Sequence, residues 1–390
     1  MLYAYHVSRS ESRSKPWTFQ LLPCCQQGVS SLYSPAGEYK QMPETLSFTP
    51  ELLDSHCIVD VRTPLEFIED HLPGAVNVPI LTDQERVEIG TIHNRIGPRE
   101  ARMRGLELTC GRFADMVRQV FGLAQGRPTL VYCWRGGLRS RSMAVLLEAT
   151  GQRVFQLAGG YKSFRNHVND YFQCFEPQAP LIVLHGMTGT GKTTFLNRLD
   201  RGKWTPIDLE GLACHRGSAF GSLGLEQDLS QKRFDTLLWE AFRKAPVDRP
   251  IVLEGESQRI GRIMLPGRLY EAMSDGYRIW CSASLETRVK RLAEEYAREE
   301  YRDEMAASLT RIRKKLGGPH YAELSGMLER WDVEGLGRGL IEQYYDKLYY
   351  KHRPWEPDLE IDLEDFGQAE QRLEAFLAEL KKPAPGDGEG

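Results

Sequence analysis

No apolar run in this chain approaches the ~20 residues that would cross a bilayer. Residues 1–40 lack the charged-then-apolar pattern of a secretory signal. Cysteine is sparse and irregular. Eight cysteines in 390 residues form neither a disulfide framework nor a paired C-x-x-C metal site, and adjacent Cys24 and Cys25 cannot clasp a metal alone. A reducing, cytoplasmic setting without a membrane partner is the expectation. Excess charge of one sign is also missing. The formal net charge is −4, so global charge does not advertise nucleic acid. There is no internal repeat. What remains is ordinary globular usage, 41% hydrophobic and 27% charged, long enough for two domains and an appendage.

The most informative stretch is Tyr132-Cys133-Trp134-Arg135-Gly136-Gly137-Leu138-Arg139-Ser140. The apolar run Thr129–Tyr132 reads as a strand, and the run from Ser142 to Leu147 reads as a helix. Cys133 therefore stands on a Gly-rich loop at a helix N-terminus, where backbone N–H groups stabilise an anion. Arg135 and Arg139 add positive charge. A thiolate there would be a nucleophile. The alternative is an inert, buried cysteine.

Upstream, Cys57-Ile58-Val59-Asp60-Val61-Arg62 is a strand ending in an acid and a base, followed by Pro64, Glu66, Phe67 and the segment His71–Pro79. Downstream lies the segment Leu157–Arg165, with Gly159 and Gly160. Together these motifs resemble the rhodanese domain, from about Phe48 to Phe175, with Cys133 as its sulfur-carrying cysteine. Cys133 and Arg139 are spaced C-x5-R, one residue longer than the usual sulfur-carrier loop. That spacing resembles cysteine phosphatases of the same fold and suits a tetrahedral oxyanion.

A second motif, Gly186-Met187-Thr188-Gly189-Thr190-Gly191-Lys192-Thr193, fits the P-loop pattern G-x-x-x-x-G-K-[ST] completely. It follows the apolar run Leu181–Leu184 and continues from Thr194 as a helix. Gly186, Gly189 and Gly191 let amides approach phosphates, Lys192 neutralises them, and Thr193 offers a hydroxyl to Mg²⁺. Another apolar run, Ile251–Leu253, ends in Glu254-Gly255-Glu256-Ser257, where a neighbouring strand would bring acids to a metal or substrate. Asp208 is a further candidate acid.

The expected fold class is α/β: a rhodanese-like parallel-sheet domain, then a P-loop NTPase-like α/β domain with a helical C-terminal part. Residues 1–41 read as a disordered extension, or as a start assigned upstream of Met42. Residues 42–175 form the first domain, residues 181–284 the P-loop core, residues 285–380 the helical part and residues 381–390 a disordered tail. Leu285 to Leu316 reads as one or two helices, stopped by Gly317-Gly318-Pro319. That segment ends in Arg311, Arg313, Lys314 and Lys315, which with Arg216 are candidates for gripping a phosphate backbone. Arg95, Arg99, Arg102 and Arg104 stand in an expected polar connection. The acids Glu294, Glu295, Glu299, Glu300 and Asp303 favour a merely solvated face. Tyr344, Tyr345, Tyr349, Tyr350 and Trp355 form an aromatic cluster suited to core packing or base stacking.

The order of the two domains, together with Asp208–Ala213, His215–Gly221, Glu254–Ser257 and Glu342–Asp346, resembles the tRNA 2-selenouridine synthase family from about Leu46 to Tyr350. In that family the acid motif typically reads E-D-E-S, whereas here Gly255 replaces the middle acid. The resemblance implies a transferase that exchanges the sulfur of wobble 2-thiouridine in tRNA for selenium. Selenophosphate, brought by its supplier, would be one co-substrate and geranyl diphosphate another, through an S-geranylated intermediate. Cys133, with Arg135 and Arg139, would engage the selenophosphate, and Gly186, Gly189, Gly191, Lys192, Thr193 and Thr194 would hold the diphosphate or ATP. No resident metal is named beyond Mg²⁺ as a candidate. The readings left open are an ATP-dependent sulfurtransferase and a C-x5-R phosphatase.

Overall fold

The computed structural model describes residues 43–225, 228–350 and 355–380, with the side chains of residues 349 and 350 left aside. Both the expected N-terminal extension (1–41) and the expected tail (381–390) lie outside the described residues. The first sheet comprises β1 (Glu44–Leu46), β2 (Cys57–Asp60), β3 (Val76–Asn77), β4 (Thr129–Tyr132) and β5 (Val154–Leu157). Its strands run parallel in the order β1-β5-β4-β2-β3. Every residue of β2, β4 and β5 is buried, because helices cover both faces of the sheet.

The second sheet draws on β6 (Leu181–Gly186), β7 (Thr205–Ile207), β8 (Ile251–Glu254), β11 (Tyr277–Ser282) and β12 (Leu359–Asp362). They are parallel in the order β12-β11-β6-β8-β7. A small antiparallel ribbon, β9 (Arg259–Ile260) with β10 (Ile263–Met264), lies between β8 and β11 in the chain. The sheet takes one edge strand from inside the segment expected to be helical. β12 pairs with β11 from Ile279↔Leu359 to Ser282↔Asp362, and the helix Phe366–Leu380 follows it. Ile361 and Leu363 are buried with Ile182 and Phe195, so the P-loop core closes only with these late residues.

The helical part inserted before β12 contains Leu285–Tyr296, Arg302–Leu316, Gly318–Glu329 and Val333–Leu340, then a π-helical turn at Ile341–Tyr345. The expected stop is present: Gly317 takes φ +83° and separates two helices. Of the aromatic cluster, Tyr344 and Tyr345 are buried in this subdomain's own core, Trp355 stands against His185 at the P-loop cavity, and the side chains of Tyr349 and Tyr350 lie outside the described residues. Residues 83–109 differ from the expected polar connection. They form a helical pair, Asp83–Arg95 and Pro98–Thr109. The first starts on a capping box between Thr82 and Glu85, and the second has Pro98 in its first turn. Arg104 is tied across the pair to Glu88 at 2.7 Å.

The two sheets are joined by one apolar core. Phe164 and Val168 of the helix Gly160–Gln173 pack with Phe234, Leu238 and Trp239 of the helix Gln231–Arg243. The Phe164 and Trp239 rings meet edge to face at 5.5 Å. Asp70, wholly buried, accepts hydrogen bonds from Tyr161 (2.8 Å) and from Thr236 of the second domain (2.9 Å). A buried carboxylate is costly unless paired, and Arg165 and Arg233 lie 3.7 and 3.8 Å away.

Candidate functional site

Cys133 follows β4, the middle strand of the first sheet, and precedes the helix Leu138–Ala149. It is 3% exposed. The Gly137 N–H donates to Sγ at 3.2 Å, and the Ser140 hydroxyl lies 3.2 Å from the same sulfur. These are the donors a sulfur anion would use. Ser140 is itself held by Gln156 of β5, whose amide donates to it and to the Gly136 carbonyl, each at 2.8 Å. Gly160 backs the loop so closely that a Cβ there would run into the Cys133 carbonyl; its φ of +59° also favours glycine.

Arg139 and Arg135 have different surroundings. Arg139 is forked onto Glu66, at 2.6 and 3.3 Å. Burial alone would raise the Glu66 carboxyl, but the Arg139 hydrogen bond and charge outweigh it and hold it below the ordinary range. The Arg139 guanidinium would have to share or leave Glu66 to grip an incoming anion. Arg135 is exposed. Both line a cavity of about 590 Å³ that Cys133 also borders.

The P-loop forms as expected. β6 leads into it, and Gly191 caps the helix Lys192–Arg198 with φ +89°. The Lys192 ammonium donates to the Gly186 carbonyl at 2.9 Å. Thr193 donates to Glu210 at 3.1 Å. Gly186, Gly189, Gly191, Lys192, Thr193 and Thr194 all line a cavity of about 1180 Å³. Asp208, Glu210 and Glu256 line it too, and Glu254 adjoins them.

This acid group is electrostatically loaded. Glu254 is wholly buried; Oε2 accepts from the Leu209 N–H at 2.8 Å, while Oε1 has no hydrogen-bond partner. Burial, then the charges of Asp208 and Glu210, push its pKa well up. Burial and neighbouring Glu256 push Glu210 up to about 8. Asp208 instead caps a short helix and accepts from Asn197 at 2.8 Å. A divalent cation suits such a set, since it would relieve the repulsion. Among the described residues no three His, Cys, Asp or Glu side chains close around a metal alone. Thr193 with Glu210 or Glu256 would therefore hold Mg²⁺ only together with phosphate oxygens and water.

The other candidates separate. Arg216 lines the P-loop cavity, pairs with Glu295, donates to the Leu223 carbonyl at 2.8 Å and lies over the Tyr296 ring. Arg311, Arg313, Lys314 and Lys315 are exposed on the helix Arg302–Leu316, with Ile312 and Leu316 buried between them. Sequence reasoning assigns no role to Glu66, Ser140, Gln156 or Glu210. Glu66, Ser140 and Glu210 stand within or beside the quoted motifs, which was the available signal; Gln156 had none beyond its place in a strand.

The family profile described as the tRNA 2-selenouridine synthase AAA domain matches residues 179–357, and that of the rhodanese-like domain matches residues 37–167. A tRNA 2-selenouridine synthase of Pseudomonas syringae pv. syringae is 32% identical over 326 residues, covering 76% of this chain and 88% of the relative. The Pseudomonas entomophila protein of that name is 31% identical over 341 residues, covering 80% and 91%. The one from Nitrosomonas eutropha is 33% identical over 339 residues, covering 75% and 87%.

Proposed function

Because the chain belongs to the tRNA 2-selenouridine synthase family, we propose that it replaces the sulfur of 2-thiouridine at the tRNA wobble position with selenium. The selenium donor in this reading is selenophosphate, and an allylic diphosphate, geranyl diphosphate, first alkylates the sulfur. Alkylation converts a poor thiocarbonyl leaving group into a thiolate that can depart. The second exchange then balances. S-geranyl-2-thiouridine, selenophosphate and one water give 2-selenouridine, geranylthiol and phosphate, with no change of oxidation state.

The observation that carries this reading is the Cys133 sulfur, set against the Gly137 N–H and the Ser140 hydroxyl and bordering a cavity, in the same chain as a complete P-loop. Cys133 is the nucleophile of the exchange: its sulfur bonds to C2 as the geranylthiolate leaves, the selenium of selenophosphate then displaces it from C2, and water takes the phosphoryl group as phosphate. Arg135 meets the donor's phosphate directly, and Arg139 does so by sharing with Glu66. Lys192 and the loop amides bind the diphosphate. If Mg²⁺ accompanies it, Thr193 with Glu210 or Glu256 would hold the ion, which would supply charge neutralisation for the leaving diphosphate.

Nucleoside mass spectrometry of tRNA, from cells lacking this protein and complemented with variants, tests the assignment. Cys133→Ser should abolish 2-selenouridine and leave S-geranyl-2-thiouridine to accumulate. Lys192→Ala should lose both nucleosides. Normal 2-selenouridine in Cys133→Ser cells would overturn the role of Cys133.

A further inference from the structure

The cavity beside Cys133 has the wrong wall for an anion alone. Ile80, Leu81, Ile89, Ala101, Leu106 and Phe113 line it, and its surface is predominantly apolar. The helical pair 83–109 contributes Ile89, Ala101 and Leu106, folding over the Cys133 loop. Of its arginines, Arg86, Arg102 and Arg135 are exposed, and Arg139, half-buried, is held by Glu66. Two lining leucines, Leu106 and Leu138, are 53% and 54% exposed, an apolar edge left open to solvent.

Size narrows the occupant. A 150 Å³ apolar cavity accommodates benzene, so selenophosphate, with fewer heavy atoms, needs about 120 Å³. That is a small part of the 590 Å³ present. By the same scaling a ten-carbon chain needs about 250 Å³ and a pyrimidine ring about 170 Å³. Chain, ring and anion together fill the cavity without overfilling it. The P-loop cavity shares no lining residue with this one. A chain attached at the P-loop therefore needs a second apolar site when its uridine reaches Cys133.

We propose that the cavity beside Cys133 is the subsite for the isoprenoid chain of S-geranyl-2-thiouridine, with the chain on the Ile89, Ala101, Leu106 and Phe113 wall and C2 turned toward the sulfur. The inference rests on the S-geranylated route proposed above. It makes this cavity, and not only the P-loop, a determinant of which alkylated uridine is accepted. The exposed arginines would meet the flanking RNA phosphates and the donor anion, while the wall retains the geranylthio group until it leaves.

The test uses the full-length protein, selenophosphate, and anticodon stem-loop RNAs carrying S-geranyl-, S-methyl- or unalkylated 2-thiouridine. S-methyl offers a comparable leaving group without the chain. Wild type should favour S-geranyl over S-methyl RNA by about tenfold or more in kcat/KM, the least that several missing carbons cost in an apolar pocket. Leu106→Asp, at a solvent-facing position, should narrow that ratio to within about threefold, mainly through KM for the geranyl RNA. Ala101→Phe, which fills the wall, should do the same. Geranylthiol should also slow iodoacetamide labelling of Cys133 in wild type and not in Leu106→Asp. A preference that both variants retain, or labelling unaffected by geranylthiol, would overturn the subsite while leaving the geranylated route standing. Direct conversion of unalkylated 2-thiouridine RNA by wild type would overturn the route itself, and this inference with it.

Discussion

At Gly255 the missing side chain is explained by a neighbour. A Cβ there would overlap the ring of His185. His185 rests on Trp355 at 4.5 Å, and burial, then the charges of Lys192 and Arg278, push its pKa down to about 4. A neutral imidazole thus fills the space beside the P-loop where the E-D-E-S pattern would place an acid. Gly255→Asp should destabilise the fold by about 1–3 kcal/mol through overpacking. His185→Gly added to it should recover most of the loss. Thermal denaturation of both single variants and the double variant checks this, and simple additivity would refute the pairing. Glu210 yields a pH dependence. Its folded pKa is raised from 4.5 to about 8, so its contribution to stability is complete below 4.5 and is lost as pH rises through about 8. In a chelator-containing buffer, wild type should lose more melting temperature between pH 6 and 8.5 than Glu210→Gln does. Equal losses would mean the proton sits elsewhere.

Elements explain which parts were legible in sequence. The Cys133 loop and the P-loop are each one strand, one turn and one helix start, so consecutive residues carry the whole signal. The partners of those loops come from other elements. Glu66 reaches Arg139 across 73 positions, and Glu254 meets the Leu209 N–H across 45. β12 was hidden for a similar reason. Its four residues follow a long helical insertion, and only their pairing with β11 marks them as the edge of the P-loop sheet. The loop itself predicts donor choice. Five residues separate Cys133 from Arg139, and the helix N-terminus offers amides around a tetrahedral anion. Selenophosphate should therefore protect Cys133 from alkylation, and thiosulfate should be a poor donor in a sulfurtransferase assay. Rapid turnover of thiosulfate would show that loop length does not select the donor.

On the two-step route proposed above, one wobble base has to reach two cavities that have no lining residue in common. The two domains pack through Phe164, Phe234 and Trp239 in a single core. Breathing between them would expose large aromatic rings, so moving the RNA is easier than moving the domains. Such an RNA needs a hold outside both cavities that is strong in sum and weak at each point. Exposed cations interacting with phosphates have that property, because each such pairing is dominated by counterion release. The helix Arg302–Leu316 supplies Arg311, Arg313, Lys314 and Lys315 on its solvent side, away from the buried Ile312 and Leu316. Arg313 also lies over the ring of Tyr321, its guanidinium 5.0 Å from the ring centre, which orients its charge without neutralising it. Replacing all four by Ala should weaken tRNA binding and lower the slope of log affinity against log salt by about one unit for each phosphate no longer neutralised. The melting temperature should change little, since no apolar surface is removed. Filter binding across a salt series measures the slope. An unchanged slope with unchanged affinity would reduce this cluster to a solvated helix end and shift the hold to the arginines of the helical pair 83–109.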